Sequence, residues 1–331
     1  MSLIQCWRVC KIWRYLLSDP LFSKTLISRT PCCLLVNGFK GHFLVDLNQK
    51  TSGEYNVGVV RLTGCSKAVT VGSCNGFVCR YNAILLETTG EFSVYNPMTG
   101  EQLWVVPSEA EYNSFGFGYS PINSAYKIVL FQLSVGEVTK PFVTTVMTVG
   151  SGIWRCVKHA LVFRSCRVIQ SEWIYLNGFL HSICKGHDGT HSIIAFDVES
   201  ERFQRLLLPQ EFPIDPKARL ISAVGVSEGR LYVTIASHNK MVVWIMKDYG
   251  IKESWTRDFE IRDDSHHQLK FCKLLNYTQG RALLLCEQQL YTYTSAIDCL
   301  VRVQVDRVPA IDKAWIHIPS FISFPYVRSQ S

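Results

Sequence analysis

The sequence predicts a mostly β fold, a ring of about six four-stranded antiparallel units of the β-propeller kind, because three classes of residue share one period. Asp/Asn residues that close short apolar runs, aromatic residues after turns, and glycines ahead of an expected inner strand recur at steps of about 50 residues or twice that. The three series are Asp46, Asn96, Asp197 and Asp248; Tyr55, Trp104, Trp154, Phe203 and Trp255; and Gly76, Gly178, Gly229 and Gly280. A single unit cannot bury both of its faces, so the units must stack around an axis.

The clearest unit covers residues 173–209, which read as an antiparallel meander of about four short strands. Asn177 and Gly178 can adopt the positive φ angles that a tight hairpin requires. The carboxylate of Asp197 can accept bonds from backbone amides two residues further on, which favours a turn there. Phe203 then opens the last strand of the unit.

The other units follow from this one. The double step between Asn96 and Asp197 predicts a degenerate copy, and residues 146–150 lie where it should be. Residues 31–64 begin the β domain, and 31–55 could form a full first blade. The residues after Pro319 read either as a tail or as a final strand that closes the ring. If both ends of the domain contribute, the period predicts six units of a kelch-like propeller.

Composition supports a large core and narrows the classes of protein. Of 331 residues, 47% are hydrophobic and 18% are charged, and no run approaches the roughly 18 apolar residues of a membrane-spanning helix. Thirteen cysteines without regular spacing favour a reducing compartment, cytoplasmic or nuclear, over a disulfide scaffold. The formal net charge is +7, with five basic and one acidic residue in positions 1–30. The remaining chain has no basic cluster, which argues against a nucleic-acid-binding surface.

Residues 1–30 differ in kind from the rest, because their apolar residues recur at helical spacing. This stripe comprises Leu3, Cys6, Val9, Cys10, Trp13, Leu16 and Leu17. Asp19 and Pro20 then favour a second short helix, as its N-cap and first helical residue. Two short helices cannot form a core of their own, so their apolar face must pack on the β domain or on another protein. We therefore expect a helical segment at 1–30 and a β domain at 31–331.

The N-terminal residues resemble the second half of a plant F-box. The resemblance rests on a Val9-Cys10-Lys11-x-Trp13-Arg14 core followed by a Leu-x-Ser-Asp-Pro-x-Phe stretch that ends at Phe22. The later residues resemble the F-box-associated interaction domain of the same plant family, which is kelch-like. The matching stretches are 72–79, 95–101, 115–121, 125–129, 152–155, 176–181, 196–203 and 253–255.

The resemblance implies a function in ubiquitin transfer. In that family the F-box binds the Skp adaptor of a cullin-based ligase, and the C-terminal domain captures the target protein. The resemblance assigns adaptor binding to Leu3, Val9, Cys10, Trp13, Leu16 and Pro20, and it implies no cofactor, metal or catalytic residue. Family F-boxes begin with a Leu-Pro pair and an acidic, Leu-rich helix. That first half is absent here, so we expect a partial F-box with a weakened adaptor contact.

Two kinds of motif could indicate chemistry, but a structural explanation is simpler for both. Vicinal Cys32 and Cys33 are expected to be small buried hydrophobic residues, because no Cys-x-x-Cys pair supports a redox role. The glycine-rich stretch 72–76 lacks the ending of a phosphate-binding loop and is better explained by a tight turn. The stretch 116–118 lacks the third glycine of a dinucleotide fingerprint.

A third motif is the group of histidines between residues 181 and 191. His181, His187 and His191 lie close in sequence to Cys184 and Asp188, so a metal site is conceivable. A polar hairpin tip explains the same residues with fewer assumptions, and we expect no metal there.

These observations leave more than one class of function open. The first is a non-catalytic substrate-recognition subunit of a Skp–cullin–F-box ubiquitin ligase, which holds a target near the transferred ubiquitin. The second is a kelch-type propeller enzyme, oxidase-like, with metal ligands converging at the axis. No Tyr, His or Cys set recurs at equivalent positions of the units, which counts against it. The third is an F-box-derived binding protein that no longer contacts the adaptor. The sequence does not identify the target or the residues that bind it.

Overall fold

The structure is a computed structural model whose described residues belong to one β domain. It describes residues 30–38, 41–49, 55–62, 68–83, 90–108, 114–132, 143–158, 166–168, 172–186, 190–208, 221–263, 268–278, 280–296, 298–306, 308 and 310–324. Within these residues the regular elements are 25 β-strands and two short 3-10 helices. No helix among them is long and apolar enough to cross a membrane. The expected helical segment at 1–30 lies outside the described residues, apart from Thr30.

The strands of the first three sheets, which we call blades 1 to 3, follow one another along the chain. Blade 1 contains β1 (Cys33–Gly38), β2 (Gly41–Gln49) and β3 (Tyr55–Leu62). Blade 2 contains β4 (Val69–Cys74), β5 (Phe77–Ala83), β6 (Gly90–Tyr95) and β7 (Gln102–Val105). Blade 3 contains β8 (Ser114–Ser120), β9 (Ala125–Gln132), β10 (Val143–Thr148) and β11 (Trp154–Lys158).

The strands of blades 4 to 6 continue in the same way, and one last strand follows them. Blade 4 contains β12 (Cys166–Val168), β13 (Ile174–Leu176), β14 (Phe179–Gly186), β15 (His191–Asp197) and β16 (Arg202–Leu207). Blade 5 contains β17 (Ile221–Ser227), β18 (Arg230–Ala236), β19 (Lys240–Met246) and β20 (Trp255–Arg262). Blade 6 contains β21 (Lys273–Thr278), β22 (Arg281–Cys286), β23 (Gln289–Thr294) and β24 (Cys299–Val303). The last strand is β25 (Ile311–His317), and the 3-10 helices are Lys252–Ser254 and Leu269–Phe271.

These sheets confirm the predicted propeller of six blades with antiparallel strands. Each blade has four strand positions, and in blade 4 the innermost position is shared by β12 and β13, which both pair with β14. The ring is closed by β25, which joins blade 1 as its innermost strand and pairs with β1 from Cys33↔His317 onward. The sequence did not decide whether the residues after Pro319 form a tail or the strand that closes the ring. In the structure the closing strand ends at His317, before Pro319.

The predicted turn residues lie where the chain reverses, although two details were wrong. Asn177 and Gly178 adopt φ angles of 50° and 87° in the turn between β13 and β14, as a tight hairpin requires. The glycine series follows each innermost strand and does not precede it. Asp197 accepts a bond from the Glu199 backbone N–H at 2.8 Å, as predicted. Asp46 lies inside β2 and closes no turn.

The alternation of strands gives the ring two different ends. Turns from the innermost to the second strand, and from the third to the outer strand, share one end, which we call the tight-turn face. It includes turns at 75–76, 96–101, 121–124, 149–153, 177–178, 198–201, 228–229, 247–254 and 295–296. The opposite end, the long-loop face, carries the blade-to-blade connections, and every innermost strand begins there. Because β1 begins opposite the last residue of β25, the chain before residue 33 joins the ring at the tight-turn face.

The hydrophobic core is divided into six clusters, one at each contact between neighbouring blades. At the contact between blades 3 and 4, Phe131 stacks on Trp173 with ring centroids 3.8 Å apart, and Phe196 meets it edge-on. Each blade is apolar on both faces, which a single sheet could not shield from water. This confirms the inference that the units stabilise one another only as a ring.

The aromatic series marks the outer strands and explains part of the period. Trp154 begins β11 and donates its indole N–H to the carbonyl of Val106 in the preceding blade, at 2.8 Å. Trp255 begins β20 and makes the same bond to the carbonyl of Leu207 at 3.1 Å. Each tryptophan therefore ties its blade to the previous one, which confirms the packing role predicted for Trp154. Trp104, by contrast, is mostly exposed.

The residues after β25 pack across the tight-turn face of blade 2. The side-chain amide of Asn96 donates to the carbonyls of Ser320 at 2.9 Å and Ile322 at 2.8 Å. Phe324 places its ring 4.4 Å from that of Phe77, in the cluster between blades 2 and 3. A Cβ at Gly76 would lie 2.2 Å from the Ser320 Cβ, so the glycine allows this close approach. The described tail thus fastens the closing strand to the next blade.

Candidate interaction surfaces

A group of charged side chains lies at the long-loop end of the central axis. Glu172 lies just before β13. One oxygen of its carboxylate accepts a hydrogen bond from the Lys273 ammonium at 2.5 Å, and the other lies 3.8 Å from the Lys313 ammonium. Lys273 begins β21 and Lys313 belongs to β25, so the three residues come from blades 4, 6 and 1. Lys273 also lies 5.5 Å from the ring of Trp315. We call Glu172, Lys273 and Lys313 the axial cluster.

The electrostatics of the axial cluster hold Glu172 in its ionised form. Burial on its own raises the pKa of the Glu172 carboxyl, but the ammonium groups of Lys273 and Lys313 outweigh burial and lower the pKa below its ordinary value. The cluster has two cations for one anion, so it leaves an excess positive charge at the mouth of the axis. This arrangement ties three blades together and can attract an acidic group.

We expect Glu172→Gln to destabilise the ring at neutral pH, because two lysines would then face each other without the carboxylate. The pair is partly exposed, so we expect a loss of about 1–2 kcal/mol in the free energy of unfolding. A lowered carboxyl pKa stabilises the folded state above the ordinary pKa, and this contribution disappears as the pH falls through the folded-state value. The difference between wild type and variant should therefore shrink below about pH 4.5.

The measurement is chemical denaturation of both proteins across pH 3 to 8 (roughly the range in which carboxyl groups titrate). Glu228→Gln, in an exposed turn, is the matched control and should leave the midpoint unchanged. Equal midpoints for wild type and Glu172→Gln at pH 7 would contradict the role given to the axial cluster.

An exposed aromatic residue on the long-loop face comes two residues before Lys273 of the axial cluster. Phe271 ends the 3-10 helix that precedes β21, and 73% of its surface is exposed. The ammonium of Lys270 lies 4.8 Å from its ring. Aromatic residues, Phe among them, are enriched in protein interfaces, so an exposed Phe is a candidate anchor for a partner protein. The mouth of the axis on the long-loop face is therefore the candidate target-binding surface.

The tight-turn face carries a different candidate, a cavity of about 230 Å³ between blades 6 and 1. Its lining includes Cys33, Asn276, Arg281 and Ile316. The cavity lies where the chain before β1 joins the ring.

The residues predicted to bind the adaptor cannot be placed in this site. Leu3, Val9, Cys10, Trp13, Leu16 and Pro20 all lie outside the described residues. Their assignment stays a prediction from the sequence. The structure shows only where the chain that follows them enters the propeller.

The histidines singled out in the sequence are separated. His181 is buried in blade 4, where one ring nitrogen bonds the Tyr249 hydroxyl at 2.8 Å and the other faces the Ile174 carbonyl at 3.1 Å. Burial lowers the pKa of His181 to about 4, so its ring is neutral. His187 lies outside the described residues. Among those described, no three His, Cys, Asp or Glu side chains converge in a way that could hold a metal ion.

For the cysteines, one prediction is confirmed, one is wrong, and one feature was not predicted. Cys33 is buried in the cluster between blades 1 and 2, and burial raises its thiol pKa to about 12, as suits a small hydrophobic residue. Cys32 is exposed, so the expectation was wrong for that residue. Cys272, just before β21, forms a disulfide with Cys286 at the end of β22, which their spacing of 14 residues did not predict.

Sequence reasoning missed the axial cluster for a clear reason. Its residues come from three blades and occupy positions that are not equivalent in the repeat. Glu172 lies outside the strands, in the stretch that interrupts the innermost position of blade 4. The available signal was weak: Lys273 and Lys313 begin or occupy innermost strands, which otherwise carry few charges.

Comparison with known proteins gives a consistent picture. The family described as "F-box associated beta propeller domain" matches residues 49–327. The F-box protein At3g07870 of Arabidopsis thaliana is 26% identical over 300 residues, which cover 78% of this chain and 68% of that protein. The Arabidopsis F-box protein CPR1 is 22% identical over 319 residues, which cover 86% and 75% respectively.

Among solved structures, the nidogen/laminin complex contains a chain with a similar fold. It aligns with a TM-score of 0.50 at 10% sequence identity and covers 86% of this chain and 98% of that one. At this identity the likeness concerns the propeller fold alone.

Proposed function

Because the chain belongs to the family of F-box-associated β-propeller domains, we propose that it is a substrate-recognition subunit of a Skp–cullin–F-box ubiquitin ligase. The observation that carries the proposal is the match over residues 49–327, together with relatives that are themselves F-box proteins. The propeller would bind a target protein without performing chemistry. The segment at 1–22 would bind a Skp-type adaptor and, through it, a cullin. Such a subunit would act in the cytoplasm or the nucleus.

The two ends of the ring support a division of labour. The chain before β1 joins the propeller at the tight-turn face. The candidate target-binding surface, with Phe271 and the axial cluster, lies at the opposite end. A target held there would be displaced from the adaptor by the thickness of the ring. Holding it in this way raises the local concentration of its lysines near the transferred ubiquitin.

The test is co-elution of the full chain with a purified Skp adaptor on size-exclusion chromatography. We expect the wild type to co-elute, and a double variant with Trp13→Glu and Leu16→Glu to elute alone, because charges on the apolar stripe prevent burial against the adaptor. Ile122→Glu is the matched control, since Ile122 is an exposed apolar residue on the propeller. It should co-elute as the wild type does.

Two results would contradict the proposal. If the wild type and the control both elute without the adaptor, the chain is a binding protein that works outside the ligase. If the double variant co-elutes as well as the wild type, the adaptor contact does not involve the stripe predicted from the sequence.

A further inference from the structure

The contact between blades 1 and 2 combines a small apolar cluster with a group of buried polar side chains. Its buried apolar residues are few: Cys33, Leu35, Leu44, Val78 and Tyr95. Toward the long-loop face, the same contact buries polar side chains instead: Asn37, His42, Thr70, Arg80 and Ser93. The Thr70 hydroxyl donates to the Asn37 side-chain oxygen at 3.0 Å and links the two blades. Burying polar groups costs free energy unless each finds a partner.

Arg80 is the most unusual member of this group. Only 1% of its surface is exposed, although arginine is rarely buried without a carboxylate partner. Its guanidinium lies 3.6 Å from the centre of the Tyr95 ring. No described carboxylate forms an ion pair with it, and its Nε has no hydrogen-bond partner. A buried cation stacked on an aromatic ring, with an unused donor, lacks a negative charge.

The repeat itself shows that this position does not require arginine. Arg80 follows Gly76 by four residues, and the residues equally spaced after Gly178, Gly229 and Gly280 are Ser182, Val233 and Leu284. All three are buried, and none is charged. The packing of the second strand is therefore satisfied by small or apolar side chains, and the charge of Arg80 serves something else.

Two further polar atoms without partners lie in the same contact. Ser93 is paired directly with Arg80 across the sheet, so both side chains point to the same face. The hydroxyl of Ser93 and the Nδ1 of His42 both lack a hydrogen-bond partner. His42 lies close enough to Arg80 for the two to interact electrostatically; burial first, and then the charge of Arg80, lower the pKa of His42. Unpartnered buried groups gathered in one place indicate a bound ion or water.

We propose that the contact between blades 1 and 2 contains a binding site for a small oxyanion, a carboxylate or inorganic phosphate, ligated by Arg80, Ser93 and His42. The guanidinium supplies the charge and the Ser93 hydroxyl supplies a donor. In the neutral ring of His42 one nitrogen donates to the Ala68 carbonyl and the unpartnered Nδ1 is an acceptor, so His42 becomes a further donor when a bound anion draws a proton onto the ring. Ser93 is paired in turn with Trp104 on the outer strand of blade 2, and 57% of the surface of Trp104 is exposed. A bound anion would strengthen the contact that the closing blade makes with its neighbour.

One residue of the chain could take the place of an external anion. Glu91 is exposed and is paired with Asn82, two residues along the ladder from the pair of Arg80 and Ser93. It makes no ion pair with Arg80 among the described residues. The experiment must therefore separate an external anion from a swing of the Glu91 carboxylate.

The test is thermal unfolding of the full chain in increasing sodium formate or sodium phosphate at constant ionic strength, with sodium chloride as the balancing salt. We expect the wild-type melting temperature to rise and saturate with either oxyanion, because a ligand that binds only the folded state stabilises it. Arg80→Gln should abolish the rise. Ser93→Ala should fold normally and need roughly tenfold more anion, as expected from the loss of one charge-assisted hydrogen bond. Glu91→Gln should respond as the wild type does.

Three results would overturn the proposal. The first is a wild-type melting temperature that neither oxyanion changes. The second is an equal rise in Arg80→Gln, or in Ser93→Ala should Arg80→Gln fail to fold, which would indicate a general salt effect. The third is a Glu91→Gln variant as destabilised as Arg80→Gln and equally unresponsive, which would identify Glu91 as the internal partner of Arg80. None of these results bears on adaptor binding.

Discussion

A variant that ends at residue 310 should fail to fold into a cooperative, soluble domain. It lacks β25, so blade 1 loses its innermost strand and the ring stays open. The deletion removes buried residues on both sides of that strand: Ile311, Ala314, Trp315 and His317. Each large apolar side chain that is lost costs about 1.5–3 kcal/mol. Together with the lost backbone hydrogen bonds between β1 and β25, this loss is comparable to the roughly 5–15 kcal/mol that stabilises a typical domain.

A second variant that ends at residue 324 is the control, since it retains the closing strand and the tail contacts of Ser320 and Phe324. Both chains should be compared by the yield of soluble protein and by near-ultraviolet circular dichroism. We expect a native spectrum only for the longer chain. If the chain that ends at 310 unfolds with the same midpoint as the control, β25 does not close the ring.

Phe131→Ala should destabilise the domain more than any other single substitution considered for this protein. Phe131 is completely buried between blades 3 and 4, where its ring stacks on Trp173 and contacts Phe196. Truncation to alanine leaves a cavity among rigid rings that cannot collapse into it. The expected loss is about 3–5 kcal/mol in the free energy of unfolding, which the shift of the denaturation midpoint measures.

Ile122→Ala is the matched control for this substitution. Ile122 is 83% exposed in a turn of blade 3, so the change should alter stability by no more than about 0.5 kcal/mol. A midpoint for Phe131→Ala within that range would show that the cluster between blades 3 and 4 does not stabilise the ring as described.

The fold could be predicted because the repeated residues perform the same task in successive blades. Gly178 and Gly229 are both in the turn after an innermost strand, with positive φ angles that favour glycine. Trp154 and Trp255 donate the same bond to the preceding blade. Such a requirement fixes both the residue type and its spacing, and therefore leaves a period in the sequence.

The candidate sites could not be predicted in this way, because each depends on residues that break the period. Glu172 meets Lys273 only because the ring brings blade 4 and blade 6 to one axis. Arg80 occupies a position that the equivalent residues fill with small or apolar side chains. The closing strand escaped prediction for a related reason: β25 completes the blade that begins about 280 residues earlier, and no local pattern states this pairing.

The closing strand also determines when the protein can finish folding during its synthesis. Three strands of blade 1 are made before those of the other five blades, but its innermost strand is made after all of them. Until then, β1 presents an unpaired edge of apolar sequence, the kind of edge that pairs readily with other chains. The nascent protein therefore depends on protection of that edge, and a ribosome that stops before residue 311 releases a chain that cannot complete its first blade.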